Sequence, residues 1–287
     1  MLGAPNVGKS TLVNRLVGSK VSIVSPKVQT TRSRVLGIVI AGHAQLILID
    51  TPGIFVPRRR LDRAMVAAAW SGASDADAIV VLVDSSKGLT RETRDIVARL
   101  KDRQQRAILA LNKIDLVSKP VLLDLTASLT AAGIFTDTFM ISAETGDGVG
   151  DLLNCLLGRL PPGPWLFPED QISDMPMRLL AAEITREKLY LQLRQELPYA
   201  AAVETERWTE QEDGSARIDQ VIYVLRPNQK GIVLGKAGQQ IKRIGAAARS
   251  ELETLLERRV HLFLHVKVRD WNDDPERYRD FGLDYNV

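Results

Sequence analysis

Short apolar runs alternate with longer stretches of helical period over the first half of the chain. Residues 35–41 and 45–49 read as two strands joined by a turn at Gly42-His43. Residues 78–83, 107–111 and 138–141 are further runs of strand length, and helical stretches occupy 61–71, 90–101 and 149–160. Such alternation predicts an α/β domain, a mostly parallel sheet with helices on both faces. The second half reads differently: a helix over 177–195, strands at 202–208 and 217–225, two helices flanking a glycine turn, and a last strand at 260–268. That order predicts a smaller α+β domain. Pro161, Pro162, Pro164, Pro168 and Pro176 mark a shift in composition between the two. The expected division is a first domain at 1–163, a semi-rigid linker at 164–176 and a second domain at 177–287.

Composition narrows this only a little. The 287 residues are 45% hydrophobic and 25% charged, ordinary for a globular chain of about two domains. No apolar run approaches the roughly 20 residues of a membrane span, so the expected compartment is the cytoplasm. Cys155, the single cysteine, excludes an internal disulfide and a cysteine-cluster metal site, and reads as a small hydrophobe on a helix.

Charge is more informative in its distribution than in its net value of +3. Residues 1–49 contain no Asp or Glu but carry Lys9, Arg15, Lys20, Lys27, Arg32 and Arg34. Between Asp219 and Glu251 the charges are Arg226, Lys230, Lys236, Lys242, Arg243 and Arg249. Two acid-free basic segments are two candidate phosphate-binding surfaces.

The first holds a complete phosphate-loop pattern, G-x-x-x-x-G-K-S, from Gly3 to Ser10. Gly3 and Gly8 let backbone N–H groups converge on one phosphate, with Asn6 and Val7 completing the curl. Lys9 places a point charge on the β/γ-phosphates, the Ser10 hydroxyl can ligate Mg2+, and the helix beginning at Thr11 turns its positive end to the anion. A phosphate loop ordinarily leaves a buried strand, yet only Met1 and Leu2 precede Gly3. The first strand is therefore expected to be truncated, and a version extended upstream is expected to be more stable.

Motifs that complete a nucleotide site follow in order. Gln29-Thr30-Thr31-Arg32 lies in a polar stretch where a switch threonine can reach metal and γ-phosphate, and Thr31 is preferred over Thr30. Asp50-Thr51-Pro52-Gly53 puts a magnesium-holding acid at a strand end and offers the Gly53 N–H to the γ-phosphate. Lys9, Thr31 and Gly53 are the candidate catalytic set, and Ser10, Thr31 and Asp50 the candidate metal set. Ile54, directly after this turn, cannot orient water as a glutamine would, which predicts slow intrinsic hydrolysis. Arg58-Arg59-Arg60 reads either as solvated loop charge or as a contact for nucleic acid or a regulator.

The base is decided by Asn112-Lys113-Ile114-Asp115. A carboxylate in the ring plane accepts from N1–H and the 2-amino group of guanine, whereas adenine lacks that amine and presents an acceptor at N1. Asp115 thus selects guanine, Asn112 braces the loop and the Lys113 stem lies along the base. Ser142-Ala143, after the strand at 138–141, can offer backbone to the guanine carbonyl.

In the second domain, Gly235-Lys236-Ala237-Gly238 forms a G-x-x-G turn between helices inside the second basic segment. This suits a KH module, in which backbone closely approaches single-stranded nucleic acid. Lys230, Gly235, Lys236, Ala237, Gly238, Lys242 and Arg243 are the candidate contacts. From Pro164 onward there are 18 basic and 21 acidic residues, so polyanion affinity must come from that local groove. His261 and His265 share one face of the last strand and read as structural.

Together, G-A-P-N-V-G-K-S, Q-T-T-R, D-T-P-G, N-K-I-D and S-A followed by a KH module with G-K-A-G resemble the Era family of bacterial GTPases over essentially the whole chain. The resemblance implies a phosphate-loop GTPase domain followed by a type II KH domain. It further implies a slow GTPase that uses Mg2+, binds the 3′ end of small-subunit (16S) ribosomal RNA and assists 30S maturation. A monomeric state, peripheral membrane association and a potassium ion held partly by Asn6 are implied as well. The alternative is a GTPase whose second domain docks a protein or membrane surface.

Overall fold

The computed structural model describes every residue except 28–29, 194–196 and 272–273, and the backbone alone at 198, 277 and 280. The chain packs as two units, one of Met1–Ser22, Thr31–Asp174 and Phe281–Val287, the other of Ile23–Thr30 and Met175–Asp280.

In the first unit, α1 (Lys9–Val17) precedes an antiparallel hairpin of β1 (Val35–Ala41) and β2 (Ala44–Asp50), in register from Val35↔Asp50 to Ala41↔Ala44. Then come α2 (Arg60–Ser74), β3 (Val80–Asp84), α3 (Arg91–Asp102), β4 (Ala107–Asn112), α4 (Lys119–Thr130), β5 (Phe135–Met140) and α5 (Val149–Leu157). β3, β4 and β5 form a parallel sheet in that order. Every residue of β3 and β4 is buried, as strands covered on both faces require.

Period-2 alternation divides those side chains between two cores. Val81, Val83, Leu109 and Leu111 pack with Trp70 of α2, Ile96 and Leu100 of α3, and Leu122, Leu125 and Leu129 of α4. Val80, Leu82, Ile108 and Ala110 pack with Leu12 and Leu16 of α1 and with Leu152 and Leu156 of α5. Each of the Val, Leu and Ile side chains among these contributes about 1.5–3 kcal/mol on burial, so both helical layers are needed to hold the strand ends in place. α4 is not marked by any chemical motif, although the spacing of Leu122, Leu125 and Leu129 is that of one helix face.

Where a first strand is expected, Met1 and Leu2 lie between hairpin and sheet. Leu2 makes one parallel bridge to Val81, its N–H donating to Val80 O at 2.8 Å and its carbonyl accepting from Leu82 N at 2.8 Å. The Met1 ammonium donates to Ile49 O at 3.0 Å.

The proline-rich stretch, expected as a linker, packs on the first unit up to residue 174. Gln45 accepts from the N–H groups of Leu166 and Phe167 and donates to Phe167 O, Ile38 N–H reaches Ile172 O, and Asp174 accepts from Leu36 N–H. These bonds satisfy the open edge of β1 and the end of the hairpin.

The second unit runs α6 (Met177–Gln192), β6 (Ala201–Glu210), β7 (Ala216–Val224), α7 (Pro227–Leu234), α8 (Gln239–Leu256), β8 (Val260–Val268) and α9 (Pro275–Asp280). β7 is the central strand, antiparallel to β6 and parallel to β8. Ile222 and Val224 of β7 pack with Ala182 and Leu189 of α6, Val233 of α7 and Ile244 of α8. α9 has no counterpart in the sequence expectation, and residues 193–195, expected to continue α6, lie past its end at Gln192 or outside the described residues.

Candidate nucleotide site and nucleic-acid interface

The phosphate loop reaches α1 through Gly8 at φ 98, and a Cβ there would lie 2.3 Å from Asn112 Nδ2. Glycine is thus demanded both by dihedral and by space. α1 has no acidic residue in its first turn, so the positive end formed by its N-terminal N–H groups is not offset by a side chain there. Lys9 is buried and folds back on the loop, Nζ donating to Gly3 O at 3.3 Å and Ala4 O at 3.2 Å. Burial lowers its pKa to about 8, against the opposing pull of Asp50. Thr11, next along α1, is half-buried, and Val7 is buried in the core beneath the loop.

The three candidate metal residues meet. Ser10 Oγ donates to Asp50 Oδ2 at 2.6 Å and lies 2.9 Å from Thr31 Oγ1. Ser22, which sequence reading passed over, also donates to Asp50 Oδ2, at 2.7 Å. Thr30 points elsewhere: its hydroxyl donates to Lys27 O at 2.7 Å and lies 2.6 Å from Ser25 Oγ. Gln29 of the same motif lies outside the described residues.

Asp50 ends β2, and the turn that follows is tied to the loop by the Ile54 N–H donating to Gly3 O at 3.0 Å. Gly53 lies against Pro5 with no room for a side chain. Ile54 itself is buried in the core with Leu2 and Trp70, so its side chain supports the turn and takes no part in positioning water. Arg58 and Arg59 are exposed, and their N–H groups donate to Asp62 Oδ2, each at 3.0 Å, which starts α2.

Asn112 ends β4 and joins two loops. Nδ2 donates to Val7 O at 2.7 Å, and Oδ1 accepts from Ala143 N at 2.9 Å. Lys113 stands at φ 65 and donates to Asn6 O at 2.9 Å and to Asp84 Oδ2 at 2.7 Å. Asp84 ends β3 directly opposite Asn112 in the parallel register. Burial would raise its pKa, but hydrogen bonds from Lys113 and Ser86 outweigh that and hold it below the usual value. Asp115 is exposed in a one-turn helix at Ile114–Leu116, open to a base. Ser142 is buried and accepts from Thr145 N at 3.1 Å, while Arg15 of α1 donates to Ala143 O at 2.8 Å and to Glu144 O. Asp84 was not singled out from the sequence, where the paired ends of β3 and β4 were the available signal, and Arg15 was named only as one cation of the first basic segment.

In the second unit α7 stops at Gly235, φ 72, where a Cβ would lie 2.5 Å from Gln240 Cβ. Ala237 at φ 51 and Gly238 at φ 75 carry the chain into α8, whose first turn has no acidic residue. Lys230, Lys236, Ala237, Lys242 and Arg243 are exposed, and Gly235 and Gly238 half-buried, while Val233 and Ile244 anchor both helices in the core. Exposed cations and a free helix N-terminus make a surface suited to a phosphate backbone.

Residues 1–113 match the family described as 50S ribosome-binding GTPase, and residues 196–272 the KH domain. GTPase Era of Sinorhizobium medicae is 60% identical over 286 residues, covering 99% of this chain and 92% of that one. The chain belongs to the Era family of GTPases. GTPase Era of Brucella suis is 59% identical over the same shares of each chain. Two solved Era structures superpose at TM-score 0.92, each covering 98% of this chain and 96% of its own. One, 42% identical, is a variant from Aquifex aeolicus bound to GDP·AlF4−; the other, 41% identical, holds MgGDPNP and nucleotides 1506–1542 of 16S ribosomal RNA.

The Era-type site here fits magnesium on its own evidence. Asp50 is fully buried, and its Oδ1 has no hydrogen-bond partner among the described residues. An acceptor left open in that position, beside two hydroxyl oxygens, is a hard-oxygen set of the kind Mg2+ takes.

Proposed function

We propose that this chain is a GTP-hydrolysing switch that binds the 3′ end of 16S ribosomal RNA and assists assembly of the 30S subunit. The observation that carries the reading is Ser10 Oγ at the start of α1, 2.6 Å from Asp50 Oδ2 and 2.9 Å from Thr31 Oγ1, in a chain that also carries the G-K-A-G turn. Nucleotide recognition falls to two loops that Asn112 joins. Backbone N–H groups from Gly3 to Gly8 and the Lys9 ammonium take the phosphates, and Thr11 extends that cradle along α1. Asp115 takes guanine, with Lys113, Ser142 and Ala143 bounding the base.

Ser10, Thr31 and Asp50 would hold Mg2+, which when bound neutralises charge on the β- and γ-phosphates. Thr31 and the Gly53 N–H sense the γ-phosphate, so its loss frees both loops. The neutral side-chain oxygen of Asn6 suits a potassium ion beside the phosphates, which predicts faster turnover in potassium than in sodium. With Ile54 buried, no side chain from that position aims water, and hydrolysis is slow. The same reading places a monomer in the cytoplasm, acting on the 30S subunit and associating peripherally with the membrane.

The RNA assignment is supported by the exposed Lys230, Lys236, Lys242 and Arg243 around the G-K-A-G turn and by the related Era bound to 16S nucleotides. It is tested with an oligonucleotide matching that 3′ end. Lys236→Glu with Lys242→Glu should abolish salt-sensitive binding, with a loss of at least about 1.4 in the log–log salt slope for two phosphate contacts on single-stranded RNA. Binding unchanged by both substitutions would favour a protein or membrane partner for this domain.

A further inference from the structure

The segment that leads into Thr31 belongs to the second unit. Chain passes into that unit after Ser22 and leaves it between Thr30 and Thr31. Inside it, three contacts from α6 and its end hold the segment: Val24 N–H donates to Glu187 Oε1 at 2.8 Å, Lys27 Nζ donates to Leu193 O, and Arg186 donates to Thr30 O.

Arg186 is an expensive residue to place there. It is 1% exposed, its Nε donates to Glu183 Oε1 at 2.7 Å, a second nitrogen pairs with Glu183 Oε2, and its guanidinium lies 5.1 Å from the Tyr190 ring centre. Taking such a pair out of water is repaid only when the fork meets good acceptors, and apolar side chains would fill the same volume at no electrostatic penalty. Beyond Glu183 and the Tyr190 side chain, the guanidinium donates to one backbone carbonyl among the described residues, that of Thr30.

That carbonyl and the Thr31 N–H belong to one planar peptide group. Fixing the oxygen fixes the plane from which Thr31 departs. Thr31 meanwhile keeps its Oγ1 2.9 Å from Ser10 Oγ, so the two contacts coexist on either side of one peptide bond.

We infer that Arg186, oriented by Glu183, is a positioning residue that holds the Thr30–Thr31 peptide so that Thr31 addresses the metal and γ-phosphate, and thereby links α6 of the KH unit to the nucleotide state. This rests on the switch reading above. Whatever favours Thr31 at the metal residues must, by linkage, favour the Arg186 contact to the same degree.

The test uses the full chain and the 16S 3′-end oligonucleotide, measuring RNA Kd with GDPNP and with GDP, and GTP turnover. Glu183→Leu with Arg186→Met removes the pair without leaving a lone buried charge, and Arg186→Lys is the conservative variant. In the double variant the ratio of RNA affinities in the two nucleotide states should fall to within about twofold of one. GDP affinity and RNA affinity in the GDP state should stay within about threefold of the parent, and kcat should fall about tenfold with KM for GTP within about twofold. Arg186→Lys should recover most of the affinity ratio. A folded double variant that keeps the parent's ratio and kcat overturns the inference. So does loss of RNA binding in both nucleotide states, which would mean the pair only supports the KH fold. If the parent itself binds RNA equally in both states, the switch reading fails first, and the inference with it.

Discussion

Asn112 supplies the sharpest prediction, because its buried side chain bonds the phosphate loop on one side and the Ser142-Ala143 loop on the other. Truncation to alanine removes the bond to Val7 O at 2.7 Å and the bond from Ala143 N at 2.9 Å. Both partners are buried, Val7 at 3% exposure and Ala143 at 2%, so water cannot replace the lost bonds without opening the site. A buried polar group stripped of its partner costs about 1–3 kcal/mol, and two such groups put Asn112→Ala at about 2–6 kcal/mol. That is a large part of the stability of an ordinary domain. Asn112→Asp separates the two bonds: an oxygen can still accept from Ala143 N–H, but the other oxygen faces Val7 O with no hydrogen between them. It should therefore destabilise through the phosphate loop alone. Urea unfolding would be followed at Trp70, which is buried in the first unit, after Trp165, Trp208 and Trp271 are changed to phenylalanine. GDP affinity measured in parallel should fall for both variants. A loss below about 1 kcal/mol for Asn112→Ala would refute the claim that these bonds brace the site.

Other consequences follow from the same geometry. Burial holds the Lys9 pKa at about 8 instead of 10.5, so its charging strains the free protein most below pH 8, and that penalty fades as pH rises toward 10.5. Phosphate binding restores the charge, so GTP binding at pH 8.5 should be accompanied by net proton uptake of less than one proton, and affinity should weaken as pH rises further; calorimetry in buffers of different ionisation enthalpy reads this, and no uptake would contradict it. Asp115→Asn replaces an acceptor with a donor opposite the guanine amine and should lower GTP affinity at least about 100-fold while favouring a purine with a carbonyl at that position, checked by competition with xanthosine triphosphate. Ile54→Gln puts an amide into the core beside Leu2 and Trp70, and should lower stability by about 1–3 kcal/mol without raising kcat, as thermal unfolding and turnover assays would show.

Much of the site was readable because phosphate, metal and base each demand particular residues at particular spacings. Gly8, Asp50, Asn112 and Asp115 announce themselves in this way. The supporting residues do not. Asp84 matters because β3 and β4 end side by side and bring it to Lys113, a consequence of strand register that no local pattern encodes. Arg15 reaches the base loop across 128 positions of sequence, and Ser22 reaches Asp50 across 28. Proline-rich composition at 164–174 fits a free spacer and a segment laid along a hairpin equally well, and the deciding partner, Gln45, is remote in sequence. Likewise nothing periodic marks residues 23–30 as companions of α6; Glu183, Arg186 and Glu187 look like an exposed charged face until their burial is known.

Control of RNA binding by the GTP state can be read from the affinity of the 16S 3′-end oligonucleotide for the chain with GDPNP and with GDP at one fixed salt concentration. The affinities should differ by at least about fivefold between the two states, the lower end of ordinary allosteric coupling. Equal affinities would contradict it.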